Sequence, residues 1–184
     1  MPFGNHQEAE FDDTDLRILD MLQDDCRAAL ARIGEHVGLS APSVLERIKK
    51  LEAAGVITGY HAVLDGRRLG LDVAAFIGVI TTQPDLIGGL ESRLSALDGV
   101  LECHHVTGEY TLLLKVKTAN TSSLETLITQ IRSLDGVSRT ETTVVLSTHA
   151  EGSRLALHPE GLAPPAHGKR ARRVGERNGH LRRA

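Results

Sequence analysis

Three groups of residues have types and spacings that could do chemistry. Ser43, Arg47 and Lys50 recur at i, i+4, i+7, so on a helix they would share one side. A hydroxyl and a guanidinium there can meet base edges in a major groove, with Lys49 and Lys50 placed for phosphates. A solvated helix face has the same composition, so the surrounding elements must decide. Cys103-His104-His105 is the densest set of soft metal ligands. In a strand, neighbours alternate sides, which leaves Cys103 and His105 on one face and His104 on the other. Two ligands on one face and one on the other fall short of the three or four a zinc site needs, so no metal site is expected. Third, Val106-Thr107-Gly108-Glu109-Tyr110-Thr111 joins two extended runs through a glycine, where backbone can approach a ligand closely. Its N–H groups and Thr hydroxyls could hold a small zwitterion, and an ordinary hairpin turn would read the same way.

Catalytic constellations do not emerge. Ser122 and Ser123 sit at a helix start and read as capping residues. Glu91 and Asp98 have no arrangement that makes them an acid and base pair. GxSxG, HExxH and P-loop patterns are absent, so the expectation is no enzyme and no cofactor.

The elements that must position these residues begin at Asp12. Leu16, Leu19 and Leu22, with Ile18 beside them, predict a first helix, and Asp12, Asp13 and Asp15 suit its first turn. A second helix is expected over Ala28 to Val37, stopped by Gly38. Ser40 is a good N-cap for a third, in which Pro42 is tolerated near the start. That helix should run to about Ala54, with Val44, Ile48 and Leu51 facing inward. Two helices joined by a few residues around Gly38 read as helix-turn-helix. Val56 to Leu64, β-branched and glycine-punctuated, predicts an extended ribbon or wing.

After the hinge Asp65–Leu71, the pattern is strand, helix, strand, strand, helix, strand, the ferredoxin-like βαββαβ order. Leu97-Asp98-Gly99-Val100 and Leu134-Asp135-Gly136-Val137 repeat one helix stop and strand start in both halves. The fold class is therefore α+β: a winged helix-turn-helix domain at 12–64, a linker at 65–71 and a ferredoxin-like domain at 72–157. A loose arm at 1–11 and a basic, disordered tail at 158–184 flank them.

Composition narrows the partners. The 184 residues include three Phe, two Tyr and no Trp, which disfavours a stacking platform for single strands. Two cysteines make no disulfide framework. No run of 18 apolar residues exists, and the acidic start is unlike a leader, so the expected location is the cytoplasm. The net charge of -3 hides an uneven spread. Residues 1–60 hold 6 basic and 11 acidic side chains, 61–158 hold 8 and 11, and 159–184 hold 7 and 2.

Phe11-Asp12-Asp13-Thr14-Asp15, Val37-Gly38-Leu39-Ser40, Arg47, Leu51-Glu52, Gly55-Val56-Ile57 and Gly59-Tyr60 resemble the Lrp/AsnC family of transcription regulators. Glu102-Cys103-His104, Val106 to Tyr110, Leu113–Val116 and Val144–Leu157 resemble its effector-binding (RAM, ACT-like) domain. The resemblance implies a sequence-specific regulator binding double-stranded DNA at an inverted repeat. It further implies self-association as a dimer, with octamers or other higher oligomers common, and an amino acid or related metabolite bound between C-terminal domains. Carried over, Ser40, Ser43, Arg47, Lys49 and Lys50 are the DNA-facing candidates, and Thr107, Gly108, Glu109, Tyr110 and Thr111 the effector loop. One position departs. Where the family usually has Asp after Gly-Glu-Tyr, this chain has Thr111, which removes a carboxylate partner for an amino group and points to an altered ligand. The other reading of the same residues is a ligand-independent architectural protein that organises DNA.

Overall fold

The computed structural model describes residues 11–157. The arm expected before residue 11 and the basic tail from 158 onward lie outside them. The chain forms two units: residues 11–60 together with 153–157, and His61–Gly152.

The first unit is three helices, α1 (Asp13–Asp24), α2 (Leu30–Val37) and α3 (Ala41–Ala53), around Ile18, Ile33, Val44 and Ile48. The stripe on α3 is the expected one. On α1 it is not: Asp15 and Ile18 are buried, while Leu16 and Leu19 are only half-buried. Spacing by three drifts about 60° per step around a helix, so Leu16, Leu19 and Leu22 never formed one face. Gly38 ends α2 at φ 74°, as its position implied. The wing is corrected. Among the described residues, 56–64 join no sheet. The start of the segment is instead tied to α3, with Val56 and Ile57 N–H both donating to the Leu51 carbonyl.

The second unit is a four-stranded antiparallel sheet of β1 (Val73–Ile80), β2 (Val100–His105), β3 (Leu112–Thr118) and β4 (Arg139–Val144), in the order β2-β3-β1-β4. Helices α4 (Ile87–Ser95) and α5 (Thr121–Arg132) cover one face. Ala75, Ile77, Val79, Leu112, Leu114 and Val116 meet Leu90, Leu94, Leu124, Leu127 and Ile131 there. The duplicated turn is real in detail. Gly99 and Gly136 both take positive φ (89° and 94°), and Val100 and Val137 each donate back to the preceding leucine carbonyl at 3.1 Å.

Candidate nucleic-acid interface and effector loop

The α2–α3 turn is tighter than Gly38 alone would make it. Leu39 N–H donates to the Gly34 carbonyl at 2.9 Å, and a Cβ on Gly34 would lie 2.4 Å from the Leu39 carbonyl oxygen. Gly34 is therefore the residue that lets the chain enter α3 so closely. The available signal was a glycine in mid-helix, where it costs stability unless packing requires it.

Helix α3 starts from Ser40, whose Oγ accepts from Ser43 N–H at 3.3 Å and lies 2.8 Å from Ser43 Oγ. Both serines thus build the cap. Ser40 is exposed and Ser43 half-buried. The solvent side carries Pro42, Leu45, Glu46, Lys49 and Lys50. Arg47 is not on it. At 100° per residue, Arg47 sits only about 70° from the centre of the Val44–Ile48–Leu51 stripe. It is on the flank facing α1, and Ser43, Arg47 and Lys50 do not line the side opposite the core.

The Arg47 guanidinium instead donates to Asp12 Oδ2 at 2.7 Å and Asp15 Oδ1 at 2.8 Å. Asp15 is 5% exposed, so its charge is compensated inside the unit rather than by water. Asp12 and Asp15 also exchange backbone-to-side-chain bonds as a capping box at the start of α1. The Asp15 N–H, and then Arg47, hold the Asp12 carboxyl below its ordinary 3.8. Below this clamp, Tyr60 Oη donates to Glu52 at 2.9 Å, and burial followed by that carboxylate pushes the phenol up to about 12. That bond anchors the end of the first unit to α3.

In the second unit, Thr107–Thr111 form the bend between β2 and β3, with Gly108 at φ 114°. Val106 N–H donates to the Thr111 carbonyl at 3.1 Å and Thr111 N–H to Val79 at 2.9 Å. Thr111 Oγ1 accepts from Thr81 N–H at 3.2 Å, so the residue in the Asp position stitches the loop to the end of β1. The Tyr110 ring lies on Gly78, where a Cβ would come within 2.4 Å of it. Glu109 pairs with Arg139 at 3.4 Å, and Arg139 with Glu141 at 3.1 Å. Thr107, Gly108 and Glu109 are exposed, and Tyr110 and Thr111 half-buried.

A groove of about 620 Å³ lies elsewhere, on the sheet face the helices leave uncovered. Ala74, Phe76, Leu101, Lys115 and Glu151 are among its walls, and no residue of Thr107–Thr111 lines it. Lys115 Nζ contacts Glu102 at 3.1 Å and Glu151 at 2.6 Å, which raises the ammonium's pKa, Glu151 first and Glu102 second. His104 meets Glu102 at 3.1 Å on this face, while His105 is 3.7 Å from Glu91 of α4. The alternation expected of β2 holds, and burial pushes the Cys103 thiol up. Among the described residues, no group of His, Cys, Asp or Glu could hold a metal ion, and no helix is long and apolar enough to cross a membrane.

Two family models match this chain in order: the AsnC-type helix-turn-helix domain over residues 11–52 and the Lrp/AsnC ligand binding domain over 74–155. The chain belongs to the Lrp/AsnC family of transcriptional regulators. It is 34% identical over 146 residues to the HTH-type transcriptional regulator FL11 of Pyrococcus abyssi, covering 79% of this chain and 96% of the relative. It is similar in structure to E. coli AsnC, with a TM-score of 0.74 and 31% identity over 79% of this chain and 98% of that one. A feast or famine regulatory protein from M. tuberculosis, solved with L-methionine, gives a TM-score of 0.75 and 31% identity over 79% and 99%.

As an Lrp/AsnC member the chain is a DNA-binding transcriptional regulator, in a family of regulators rather than enzymes. The helix-turn-helix match spans the Asp12–Asp15–Arg47 clamp, and the ligand-domain match spans both the 107–111 bend and the groove. Spacing alone could not find the clamp, because its partners are 32 and 35 residues apart.

Proposed function

We propose that this Lrp/AsnC protein binds operator DNA as a two-fold assembly that presents two α3 helices to successive major grooves. The observation that carries the reading is α3 itself. It is capped by Ser40, entered through the tight Gly34–Leu39 turn, and exposed along Pro42, Leu45, Glu46, Lys49 and Lys50. One helix of 13 residues reads only a few base pairs, so pairing is needed for a longer site, and two-fold pairing implies an inverted repeat. Lys49 and Lys50 contact phosphate, the first turn around Pro42 and Ser43 approaches base edges, and Arg47 braces the helix from behind.

The surface for pairing is the uncovered sheet face. Phe76 is 40% exposed at its centre, and an antiparallel sheet with one bare, partly apolar face favours a second sheet against it. A small effector engages the Thr107–Thr111 bend, and the methionine carried by the M. tuberculosis relative supports an amino acid or a close analogue. With Thr111 tied to Thr81, amino-group recognition falls to other groups, so the preferred ligand differs from that of relatives with Asp there. Effector binding alters the spacing of paired α3 helices and hence operator affinity.

The test is a gel shift on the region upstream of the protein's own gene, titrated with the twenty amino acids. We expect a shift that at least one of them changes more than threefold. No shift at low salt overturns the regulator reading. A shift with a flat response and broad multi-site coating assigns the protein to DNA organisation without an effector.

A further inference from the structure

Two residues of α3 are acidic, Glu46 and Glu52. A helix that enters a DNA groove meets phosphate on both sides, so a carboxylate on it works against binding unless it has a partner. Glu52 has one inside the protein, since it accepts from Tyr60 Oη at 2.9 Å. Glu46 does not. The ion pairs formed among the described residues of the helical unit take up Asp12, Asp15, Asp20, Asp24 and Asp25, and none engages Glu46.

Glu46 also occupies the centre of the outward face. At 100° per residue, it lies only about 15° from the pole opposite the Val44–Ile48–Leu51 stripe. Pro42 and Ala53 fall within about 30° of the same pole and bring no hydrogen-bonding side chain. Lys49 and Lys50 follow Glu46 along the helix, about 60° to one side of it and 40° to the other. All five residues are exposed, whereas Ser43 is half-buried with its hydroxyl 2.8 Å from that of Ser40. A helix about 10–12 Å across fills a major groove about 12 Å wide. In that fit the flanks of the helix meet the phosphate walls and its outward pole meets the floor, where the base edges are. The two lysines therefore reach the walls, and Glu46 reaches the bases.

We infer that Glu46 is a specificity-determining residue that accepts a hydrogen bond from the amino group of a cytosine, one in each half of the operator. A carboxylate has no proton to donate. In the major groove guanine presents two acceptors, and thymine an acceptor and a methyl group, so both oppose it. Adenine has an amino group but sets its N7 acceptor beside it. Cytosine presents its N4 amino group alone. One side chain thus attracts a single base and repels the other three, and discrimination is built from the repulsion as well as the contact. Glu46 also lowers affinity for DNA in general, because it approaches a polyanion wherever α3 docks, and the cytosine-bearing site is the exception.

This inference rests on the DNA-binding reading above, and the experiment separates the two. The intact chain, Glu46→Gln and Glu46→Ala each select duplexes from a randomised library, and their affinities for the intact chain's consensus and for a random duplex are measured over a range of salt. Both replacements are good helix formers at an exposed position, and thermal melts establish that each protein is folded. The intact chain is expected to enrich one cytosine per half-site, at mirror-related positions. Glu46→Gln is expected to move those positions to adenine, whose N6 and N7 suit an amide. Glu46→Ala is expected to leave them without preference, to lose about fivefold or more on the consensus and to bind the random duplex more tightly. The salt slope stays the same in both, since no phosphate contact is removed. A consensus carrying 2-pyrimidinone in place of the cytosine, which lacks the N4 amino group, should weaken the intact chain and leave Glu46→Ala unaffected. A consensus whose bases are unchanged in both variants overturns the inference. So does equal tightening of Glu46→Ala on consensus and random duplexes, which makes Glu46 a solvated surface charge. Failure of the intact chain to enrich any sequence sinks the sequence-specific DNA-binding reading itself.

Discussion

Arg47 shows how one side chain can take a different part from the one its spacing suggests. Its guanidinium is shared by the half-exposed Asp12 and the buried Asp15, which locks α3 to the first turn of α1. Removing it leaves the Asp15 carboxylate buried without its cation. The loss is about 2–3 kcal/mol, below the roughly 3–5 kcal/mol of a fully buried pair because Arg47 keeps some solvent. Two substitutions separate bracing from contact. If Arg47 braces, Arg47→Ala and Asp15→Asn both lower the melting temperature and the preference for operator over random DNA, and both leave the salt slope unchanged. If Arg47 instead held a phosphate, Arg47→Ala would reduce the slope by about 0.9, and Asp15→Asn would release the arginine and tighten binding. Salt-dependent binding of the two variants decides.

At the scale of elements, two kinds of glycine act in opposite directions. Gly34 is where α2 passes the Leu39 carbonyl, and that oxygen cannot retreat without opening the turn. Gly34→Ala should therefore destabilise the helical unit by about 1–3 kcal/mol, the range of overpacked sites. Gly88, in α4, would place a Cβ in open space, so Gly88→Ala should stabilise by about 0.5–1 kcal/mol through helix propensity. Urea melts of the two variants should move in opposite directions. These elements also mark what could be read in advance. The Val44–Ile48–Leu51 stripe, the Ser40 cap and the twin Asp-Gly turns were legible because each is a local pattern with a local cause. The inward face of α1, the return of Arg154 and Leu155 to it and the Arg47 clamp were not, since each is settled by a partner far along the chain. The strand pairing expected at 56–64 is absent among the described residues, since β-branched composition alone does not supply a partner strand.

For the whole molecule, the proposed pairing surface is the bare side of the sheet. Phe76 projects from it beside a groove that also contains Lys115 with its two carboxylates. Phe76→Glu would set a fourth charge against Glu102, Lys115 and Glu151 and oppose a second sheet. The expected outcome is a fall in sedimentation mass to that of one chain, 19.9 kDa, with operator affinity lost and the melt of the sheet unit little changed. A variant that stays associated would move the pairing surface elsewhere.

The return of the chain to α1 has a consequence for how the molecule is made. The helical unit is a discontinuous body: its helices are complete by Tyr60, but Arg154 and Leu155 emerge 94 and 95 positions later. At 5–20 residues per second, a nascent helical unit waits roughly 5–20 s before Arg154 reaches Asp20 and Asp24 and Leu155 reaches the Gln23 amide. The sheet unit must be translated in full before the helical unit is finished, so a transcript cut short inside the sheet yields helices that lack Arg154 and Leu155.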